Sequence, residues 1–189
     1  MTYMAGLQDN AFDLAIVDPP YGIEISSNPV RQQHKKKNWD DTTPDNRYFD
    51  ELFRISKNQI IWGGNYFNLK PSQGFVIWDK KQPHEFSLAM CEFAWISFQK
   101  PAKIFTQSVL KEQNKIHPTQ KPVQLYKWLL HNYAESGQTI LDTHGGSRSL
   151  AIACHEMGFD HVSCELDSQY HADSVKRFNE QTMQQSLFK

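Results

Sequence analysis

The apolar residues along the chain fall into short runs that alternate with longer amphipathic stretches. Short runs indicate buried strands, and apolar residues at helical spacing indicate helices that pack one face on a core. Strands are predicted at Phe12–Asp18, Gln59–Trp62, Phe75–Trp78, Phe93–Phe98, Thr139–Asp142 and His161–Glu165. Helices are predicted at Pro44–Ser56, Thr119–Tyr133, Ser149–Met157 and Ser168–Gln181. This alternation predicts an α/β domain with a mostly parallel sheet flanked by helices.

Two segments interrupt the alternation. Residues 22–41 are polar and contain the run RQQHKKK at 31–37, which predicts a mobile basic loop. Residues 82–116 carry one convincing strand and are interpreted as a small accessory region that faces the substrate and helps to recognise the target. With no internal repeat in the sequence, residues 1–189 are interpreted as a single domain.

The charge balance narrows the function classes. The chain has 20 Lys and Arg against 21 Asp and Glu, for a net charge of −1. This balance argues against a wholly basic nucleic-acid binder, although it is compatible with a local basic patch. An apolar share of 39% and an aromatic share of 13% exclude a disordered chain.

Cysteine usage and hydropathy suggest a location. Cys91, Cys154 and Cys164 are odd in number and lack paired spacing, which argues against a disulfide framework or a cysteine zinc site. No signal peptide and no apolar stretch approaching a membrane span is found. A cytoplasmic protein without a bound metal is therefore expected.

The first candidate site is Asp18-Pro19-Pro20-Tyr21, which follows the first strand. Two prolines make the turn rigid and fix the Asp18 carboxylate and the proline carbonyls as acceptors at the carboxyl end of a strand, where open α/β sheets bind ligands. Acceptors beside the Tyr21 ring suit a planar amine. The alternative is an ordinary turn that ends a strand.

A second candidate site is the turn from Asp142 to Ser149, together with Glu165. Gly145 and Gly146 let the backbone approach a ligand closely, and an acid at the end of the next strand can bind both hydroxyls of a ribose. No phosphate loop is present, so a nucleoside fits better than a triphosphate. A tight strand–helix turn without a ligand is the alternative.

The third candidate is His117-Pro118-Thr119-Gln120-Lys121-Pro122, before the clearest amphipathic helix. Thr119 is expected to cap this helix and Pro122 to occupy its first turn. Free N–H groups and Lys121 suit a carboxylate ligand. Capping alone is the alternative interpretation.

The three candidate sites, taken in their order along the chain, resemble the motifs of the DNA amino-methyltransferases. These enzymes methylate N6 of adenine or N4 of cytosine. Residues 18–21 resemble the catalytic motif, and residues 117–122 resemble the segment that precedes the cofactor motif. The run ILDTHGGS at 140–147 is similar to the cofactor motif, usually Asp-Pro-Phe-x-Gly-Ser-Gly. The catalytic motif comes first, as in the permuted β group, and IWGGNYF (61–67) and VIWDK (76–80) resemble small phage-type adenine enzymes.

Two departures from the family pattern bear on cofactor binding. Thr143 and His144 replace the usual Pro-Phe, and Arg148 stands where a third glycine is expected. The Arg148 side chain either crowds the turn or points to solvent.

The resemblance implies a Rossmann-like class I methyltransferase fold and transfer of a methyl group from S-adenosylmethionine to a flipped-out adenine. The catalytic residues that it implies are Asp18, Pro19, Pro20 and Tyr21. The cofactor contacts that it implies are Asp18, His117, Thr119, Lys121, Asp142, Thr143, His144, Gly145, Gly146, Ser147, Glu165 and Leu166. DNA is the expected partner, and the hypothesis for DNA contacts is a loop that closes over the phosphates with Arg31, Lys35, Lys36, Lys37 and Trp39.

Other functions stay open from the sequence. Cytosine-N4 methylation is the nearest, although cytosine enzymes more often carry serine in place of Asp18. A catalytically inactive DNA- or cofactor-binding domain is kept open by Thr143, His144 and Arg148. A nucleotide-binding oxidoreductase is weak because it gives the Asp-Pro-Pro-Tyr turn no role. A homodimer is a further hypothesis.

Overall fold

The computed structural model describes residues 2–23, 40–85, 88–109 and 115–186, with side chains as far as residue 183. A short 3-10 turn lies at Gly64–Tyr66. The strands are β1 (Phe12–Val17), β2 (Ser56–Trp62), β3 (Phe75–Asp79), β4 (Cys91–Ile96), β5 (Lys103–Thr106), β6 (Thr139–Asp142) and β7 (Asp160–Ser163). The helices are α1 (Thr2–Ala5), α2 (Asn46–Ile55), α3 (Val123–Tyr133), α4 (Ser149–Met157) and α5 (Ser168–Ser186).

All these strands join one sheet in the order β5-β3-β4-β2-β1-β6-β7. Strands β1, β2, β6 and β7 pair in parallel, as do β3 and β5, whereas β4 is antiparallel to both β2 and β3. The mostly parallel α/β sheet is therefore confirmed. Because β4 alone is reversed, its first residues lie at the edge where the other strands end.

Helices cover both faces of the sheet. Successive side chains of β1 point to opposite faces, and both sets are buried. Leu14 and Ile16 pack in a core that includes residues of α3 and α4. Ala15 and Val17 point the other way, into a core that includes residues of α2. A strand buried on both faces is an almost continuous apolar run, which explains the clear signal of β1.

The part of the sheet predicted least well is residues 82–116. The prediction of one strand there is wrong, because β4 and β5 both belong to the sheet. Strand β4 also starts at Cys91 rather than Phe93. Strand β5 is four residues long at the sheet edge and alternates between half-buried and exposed positions, so it lacks an apolar run.

The start of α3 also differs from the prediction. The helix begins at Val123 rather than Thr119, and no side chain caps it. Pro122 is extended, at φ −63° and ψ 140°, and a proline disfavours helical geometry in the residue before it. The Thr119 hydroxyl instead lies 3.1 Å from Nδ1 of His117, so the capping role predicted for Thr119 is wrong. The predicted place of Pro122 in the first turn is also wrong, because Pro122 precedes that turn.

Two absences concern only the residues just described. None of their helices has the length and hydropathy needed to cross a membrane. They also bring together no group of three or more His, Cys, Asp or Glu side chains that could hold a metal ion.

Candidate functional site

Asp18 follows the last residue of β1 and is held from two sides. The Tyr21 hydroxyl donates to its Oδ1 at 2.6 Å, and the Lys121 ammonium donates to its Oδ2 at 2.5 Å. An ionised carboxylate has about four acceptor positions. Asp18 is therefore fixed in orientation while each oxygen keeps a position for a further donor.

The backbone of the same turn is anchored by Asp40. Its Oδ1 accepts from the N–H of Tyr21 at 2.7 Å and of Gly22 at 3.1 Å, and the residue is 1% exposed. Sequence reasoning missed Asp40, which lies 19 residues from Tyr21 along the chain. Its only signal was its position as an acid at the end of the polar loop.

The Tyr21 ring lies among aromatic and glycine neighbours. It stacks on the ring of Tyr66 with centroids 4.9 Å apart and planes 12° apart. Gly63, which follows β2 and has φ +69°, lies against the same ring, and a Cβ there would be 2.6 Å from two ring carbons. Tyr66 is 46% exposed, so the pair presents an aromatic surface beside Asp18.

Four side chains of alternating charge extend inward from the turn. The Lys121 ammonium lies 2.5 Å from Asp18 and 3.0 Å from Oε2 of Glu92. The other Glu92 oxygen, Oε1, lies 2.5 Å from the Lys80 ammonium. Lys121 and Lys80 are 3% and 7% exposed. The sequence analysis missed both Glu92 and Lys80.

The two carboxylates of this row differ in pKa. Burial raises the pKa of Asp18; the Lys121 charge opposes this increase and the Glu92 charge adds to it. Burial acts in the same sense on Glu92, but Lys121 and Lys80 outweigh it and lower the Glu92 pKa to about 2. For Lys121, the two carboxylates outweigh burial and raise its pKa. Asp18 is thus the carboxylate that protonates first.

The glycine turn after β6 requires close backbone packing. The Gly145 N–H donates to the Cys164 carbonyl at 2.7 Å. A Cβ on Gly145 would lie 2.5 Å from Oγ of Ser163 and 3.1 Å from the Cys164 carbonyl oxygen. Only glycine therefore fits this position without a shift of the neighbouring chain.

Arg148, at the position where a third glycine is expected, has a left-handed backbone conformation. It has φ +57° at the N-cap of α4, a left-handed conformation that is uncommon for non-glycine residues. Its guanidinium lies against α5, with Nε donating to Ser174 at 3.1 Å and Nη2 lying 3.3 Å from Nδ1 of His171. The side chain therefore neither crowds the turn nor simply points to solvent.

Thr143 and His144, the second departure, form a polar cluster with α2. The Tyr48 hydroxyl lies 2.7 Å from Oγ1 of Thr143, and that oxygen lies 2.9 Å from Nδ1 of His144. Burial lowers the His144 pKa to about 4, so the ring is neutral near pH 7. These polar contacts hold Thr143 and His144 against α2.

Asp142 lies immediately behind this cluster. Its Oδ1 accepts from the His144 N–H at 3.0 Å, and the residue is 6% exposed. Burial raises its pKa to about 7, and the charges of Asp18 and Glu165 act in the same direction. A buried acid poised near neutrality is typical of a functional site.

Glu165 and His117 close the two sides of this region. The Glu165 carboxylate accepts from the N–H groups of Gly146 and Asp167, each at 2.8 Å. The His117 ring packs on Tyr170 with centroids 4.4 Å apart. Predicted residues from three separate parts of the chain are therefore neighbours.

A cavity of about 430 Å³ joins the catalytic and cofactor motifs. This volume is within the range of small-molecule sites. Of the predicted residues, those that line the cavity are Asp18, Pro20, His117, Thr119, Lys121, Thr143, His144, Gly145, Gly146, Ser147, Glu165 and Leu166. The residues Gln120, Tyr126, Ser149, Asp167 and Tyr170 line it as well.

Some predicted residues have other positions. Pro19, Tyr21 and Asp142 are not among the lining residues. Tyr21 and Asp142 adjoin the cavity through their hydrogen bonds to Asp18 and His144. Lys121 lines it, but its ammonium contacts Asp18 and Glu92. The DNA contacts predicted at residues 31–39 lie outside the described residues.

Comparison with known proteins identifies the family of the chain. The family model described as DNA methylase, which represents N6 and N4 methyltransferases, matches residues 61–176, more than half of the chain. A methylase-named protein of Escherichia coli strain K12, YubD, is 33% identical over 64 residues. That alignment spans 34% of this chain and 28% of YubD.

Solved structures share the fold at low sequence identity. The complex of M1.HpyAVI with SAM has a TM-score of 0.60 at 18% identity, over 93% of this chain and 92% of that one. The cytosine-N4-specific PvuII DNA methyltransferase has a TM-score of 0.61 at 14% identity, over 93% and 82%. These likenesses confirm the Rossmann-like class I methyltransferase fold. Together with the family match, they show that the chain belongs to the DNA methylase family of N6 and N4 methyltransferases.

Proposed function

We propose that this protein is an S-adenosylmethionine-dependent DNA methyltransferase that methylates N6 of a flipped-out adenine. The observation that carries the proposal is that Asp18 and the glycine turn line one and the same cavity. Strands β1 and β6 are neighbours in the sheet, so the amine-binding and cofactor-binding motifs come side by side at one edge. Ligands bind at this edge in open α/β sheets.

The groups around the cavity fit the charges of the proposed cofactor. S-adenosylmethionine supplies a methyl group activated by a positively charged sulfur, and it also carries an ammonium and a carboxylate. Glu165 would bind the ribose hydroxyls, and Asp142 with the adjoining turn would face the ammonium. The Thr119 hydroxyl would face the carboxylate. Lys121 is assigned instead to Asp18, because its ammonium contacts that carboxylate.

Asp18 would prepare the exocyclic amine for attack. The nitrogen lone pair of such an amine is delocalised into the ring, which makes it a poor nucleophile. The open acceptor positions of Asp18 and the Pro19 carbonyl would take the two amine hydrogens and localise that lone pair. Since Tyr21 and Lys121 already fix the carboxylate, positioning and electrostatics supply most of the acceleration.

The target base must leave the duplex before it reaches Asp18. Base flipping costs a few kcal/mol, and stacking on Tyr21 and its partner Tyr66 would offset part of this cost. The basic residues of the run 31–37 would contact DNA phosphates. Trp39 would stack on a base or wedge into the duplex. Adenine is proposed as the target because Asp18 occupies the first position of the catalytic motif. A cytoplasmic homodimer is part of the same proposal.

The decisive experiment is product analysis. The protein is incubated with DNA and methyl-labelled S-adenosylmethionine, and the DNA is then digested to nucleosides. We expect the label in N6-methyladenine. Label in N4-methylcytosine would show that the target is cytosine. The absence of label on every DNA tested would show a binding domain without catalysis.

Cofactor affinity should depend on pH through Asp142. An acid with a pKa of about 7 is mostly neutral at pH 6 and mostly ionised at pH 8. Because the cofactor ammonium requires the ionised form, we expect affinity to rise about tenfold between those two pH values. Calorimetric titration at pH 6, 7 and 8 measures this change.

The matched variants for this titration are Asp142→Asn and Asp50→Asn. Asp142→Asn should bind weakly with little pH dependence, because the amide cannot ionise. Asp50 lies exposed on α2, so its replacement should preserve the wild-type pH profile. A wild-type affinity that is equal at pH 6 and pH 8 would contradict the role given to Asp142.

A further inference from the structure

Lys121 is shared between two carboxylates at the catalytic turn. Its ammonium lies 2.5 Å from Asp18 and 3.0 Å from Glu92. Lys80 holds the opposite oxygen of Glu92 at 2.5 Å. The four groups form the sequence acid, base, acid, base, with no net charge when all are ionised.

The sheet topology brings these groups together. Asp18 follows β1 and Lys80 follows β3, whereas Glu92 is the second residue of the reversed strand β4 and lies opposite Trp78 of β3. Lys121 precedes α3, and its side chain reaches the same end of the sheet. The reversal of β4 therefore delivers a carboxylate to the end of the sheet that carries the site.

Lys121 has little access to water. It is 3% exposed, and its ammonium lies 5.2 Å from the ring centre of Trp62 and 5.9 Å from that of Tyr21. A buried ammonium requires charged partners, and loss of a partner is costly because the remaining charge stays buried. The two carboxylates therefore stabilise Lys121 jointly.

Sharing of the ammonium changes what Asp18 can do. If Lys121 contacted Asp18 alone, its whole charge would stabilise the ionised carboxylate and weaken it as an acceptor of protons. Glu92 instead places a second carboxylate oxygen 3.0 Å from the ammonium and adds a negative charge near Asp18. Lys80 holds Glu92 in place through its second oxygen.

We infer that Glu92 is a positioning residue of the methyl-transfer site, which acts through Lys121 to keep Asp18 a competent acceptor of the amine proton. This inference rests on the proposed function for its chemistry.

The groups that face Asp18 from the surrounding elements agree with this role. Burial raises the Asp18 pKa, Lys121 opposes the increase, and Glu92 adds to it. Tyr21 contributes a hydrogen bond that favours the ionised form. Among the described residues, the other titratable groups influenced by Asp18 are Tyr48 of α2, Tyr126 of α3 and Asp142 at the end of β6.

Glu92 matters most during methyl transfer, when Asp18 accepts a proton. The amine lone pair forms the new N–C bond, and the electron pair of the broken S–C bond stays on sulfur. The nitrogen then carries a positive charge, which it loses when one N–H proton passes to an Asp18 oxygen. Lys121 keeps Glu92 as its partner while Asp18 is neutral, so no buried ammonium is left unpaired. Asp18 later returns the proton to water.

Glu92→Gln tests the inference in the protein without cofactor or DNA. The Asp18 carboxyl titration is followed by NMR with ¹³C-labelled aspartate and assigned with Asp18→Asn. We expect the titration of Asp18 to move to lower pH, because a like charge is lost and Lys121 turns to Asp18 alone. Glu135→Gln changes an exposed glutamate outside the row of four charges and should leave the Asp18 titration unchanged.

Kinetics provides the second measurement. In Glu92→Gln we expect the turnover number to fall by about tenfold or more and the acidic limb of its pH profile to shift to lower pH. KM for the cofactor should change little. Glu92→Asp keeps the charge and should restore part of the loss. If Glu92→Gln fails to fold, Lys80→Met with Glu92→Gln removes both charges and allows the same titration.

The outcomes separate this inference from the proposed function. An Asp18 titration that is unchanged or moves to higher pH in Glu92→Gln would overturn the inference, whether or not the wild type is active. A wild type that transfers no methyl group defeats the proposed function, although the NMR titration can still show the coupling of Glu92 to Asp18.

Discussion

Asp18→Ala should lower the turnover number for methyl transfer by about 10²–10⁴-fold and leave cofactor binding largely intact. Alanine removes the carboxylate that orients the amine and accepts its proton. It also removes the acceptor that fixes the Tyr21 hydroxyl. The cofactor turn, on β6 and α4, keeps its own hydrogen bonds. The loss should therefore fall on the turnover number rather than on cofactor affinity.

The variant is expected to remain folded because Lys121 keeps Glu92 as a partner. Its folding is checked by circular dichroism and its cofactor affinity by calorimetry, alongside single-turnover methyl transfer. Asp50→Ala, an exposed site on α2, serves as the control and should match the wild type. Full activity in Asp18→Ala would show that the catalytic assignment is wrong.

Most of the fold could be predicted because its central strands carry strong local signals. The apolar run Leu14–Val17 is buried on both faces of the sheet, so its length and composition identify β1. Helix α4 was predicted with its observed limits because Gly158 ends it in a left-handed conformation. Strand β5 was missed because its stability comes from pairing with β3 rather than from its own composition.

The two halves of the site could also be predicted, since each is a short contiguous motif. Their meeting in one cavity follows from the pairing of β1 with β6. Asp40, Glu92 and Lys80 could not be found in this way. Each acts across the chain on a distant partner, and a charged residue beside a strand gives no sign of the strand order that brings it there.

Lys121 shows the same limit within a recognised motif. The sequence allowed its charge to meet a carboxylate but could not identify which one. The resemblance implied the carboxylate of the cofactor, whereas the structure pairs the ammonium with Asp18 and Glu92. Local chemistry gives the charge that the partner of Lys121 must carry. The reversal of β4 explains why Glu92 is one of its two partners.

Gly63→Ala should inactivate the site by a different route, through the position of Tyr21. Gly63 has φ +69°, and alanine in that conformation costs roughly 1–2 kcal/mol. In addition, the new Cβ would lie 2.6 Å from two carbons of the Tyr21 ring, so the ring must move. Tyr21 holds Asp18 through its hydroxyl, and a displacement of about 1 Å at a reacting group can reduce the rate by about 10²-fold.

Gly137→Ala is the matched control, because Gly137 has φ +86° and no atom within 4 Å of the added Cβ. Both variants should lose roughly 1–2 kcal/mol of unfolding free energy from the backbone. Gly63→Ala should lose more in urea denaturation, because its Cβ also displaces the Tyr21 ring. Only Gly63→Ala should also lose methyl transfer, and its deficit should appear in the turnover number and in KM for DNA rather than in cofactor affinity. Equal activity in the two variants would mean that the Tyr21 ring tolerates displacement, and that Asp18 is oriented by Lys121 without help from the tyrosine.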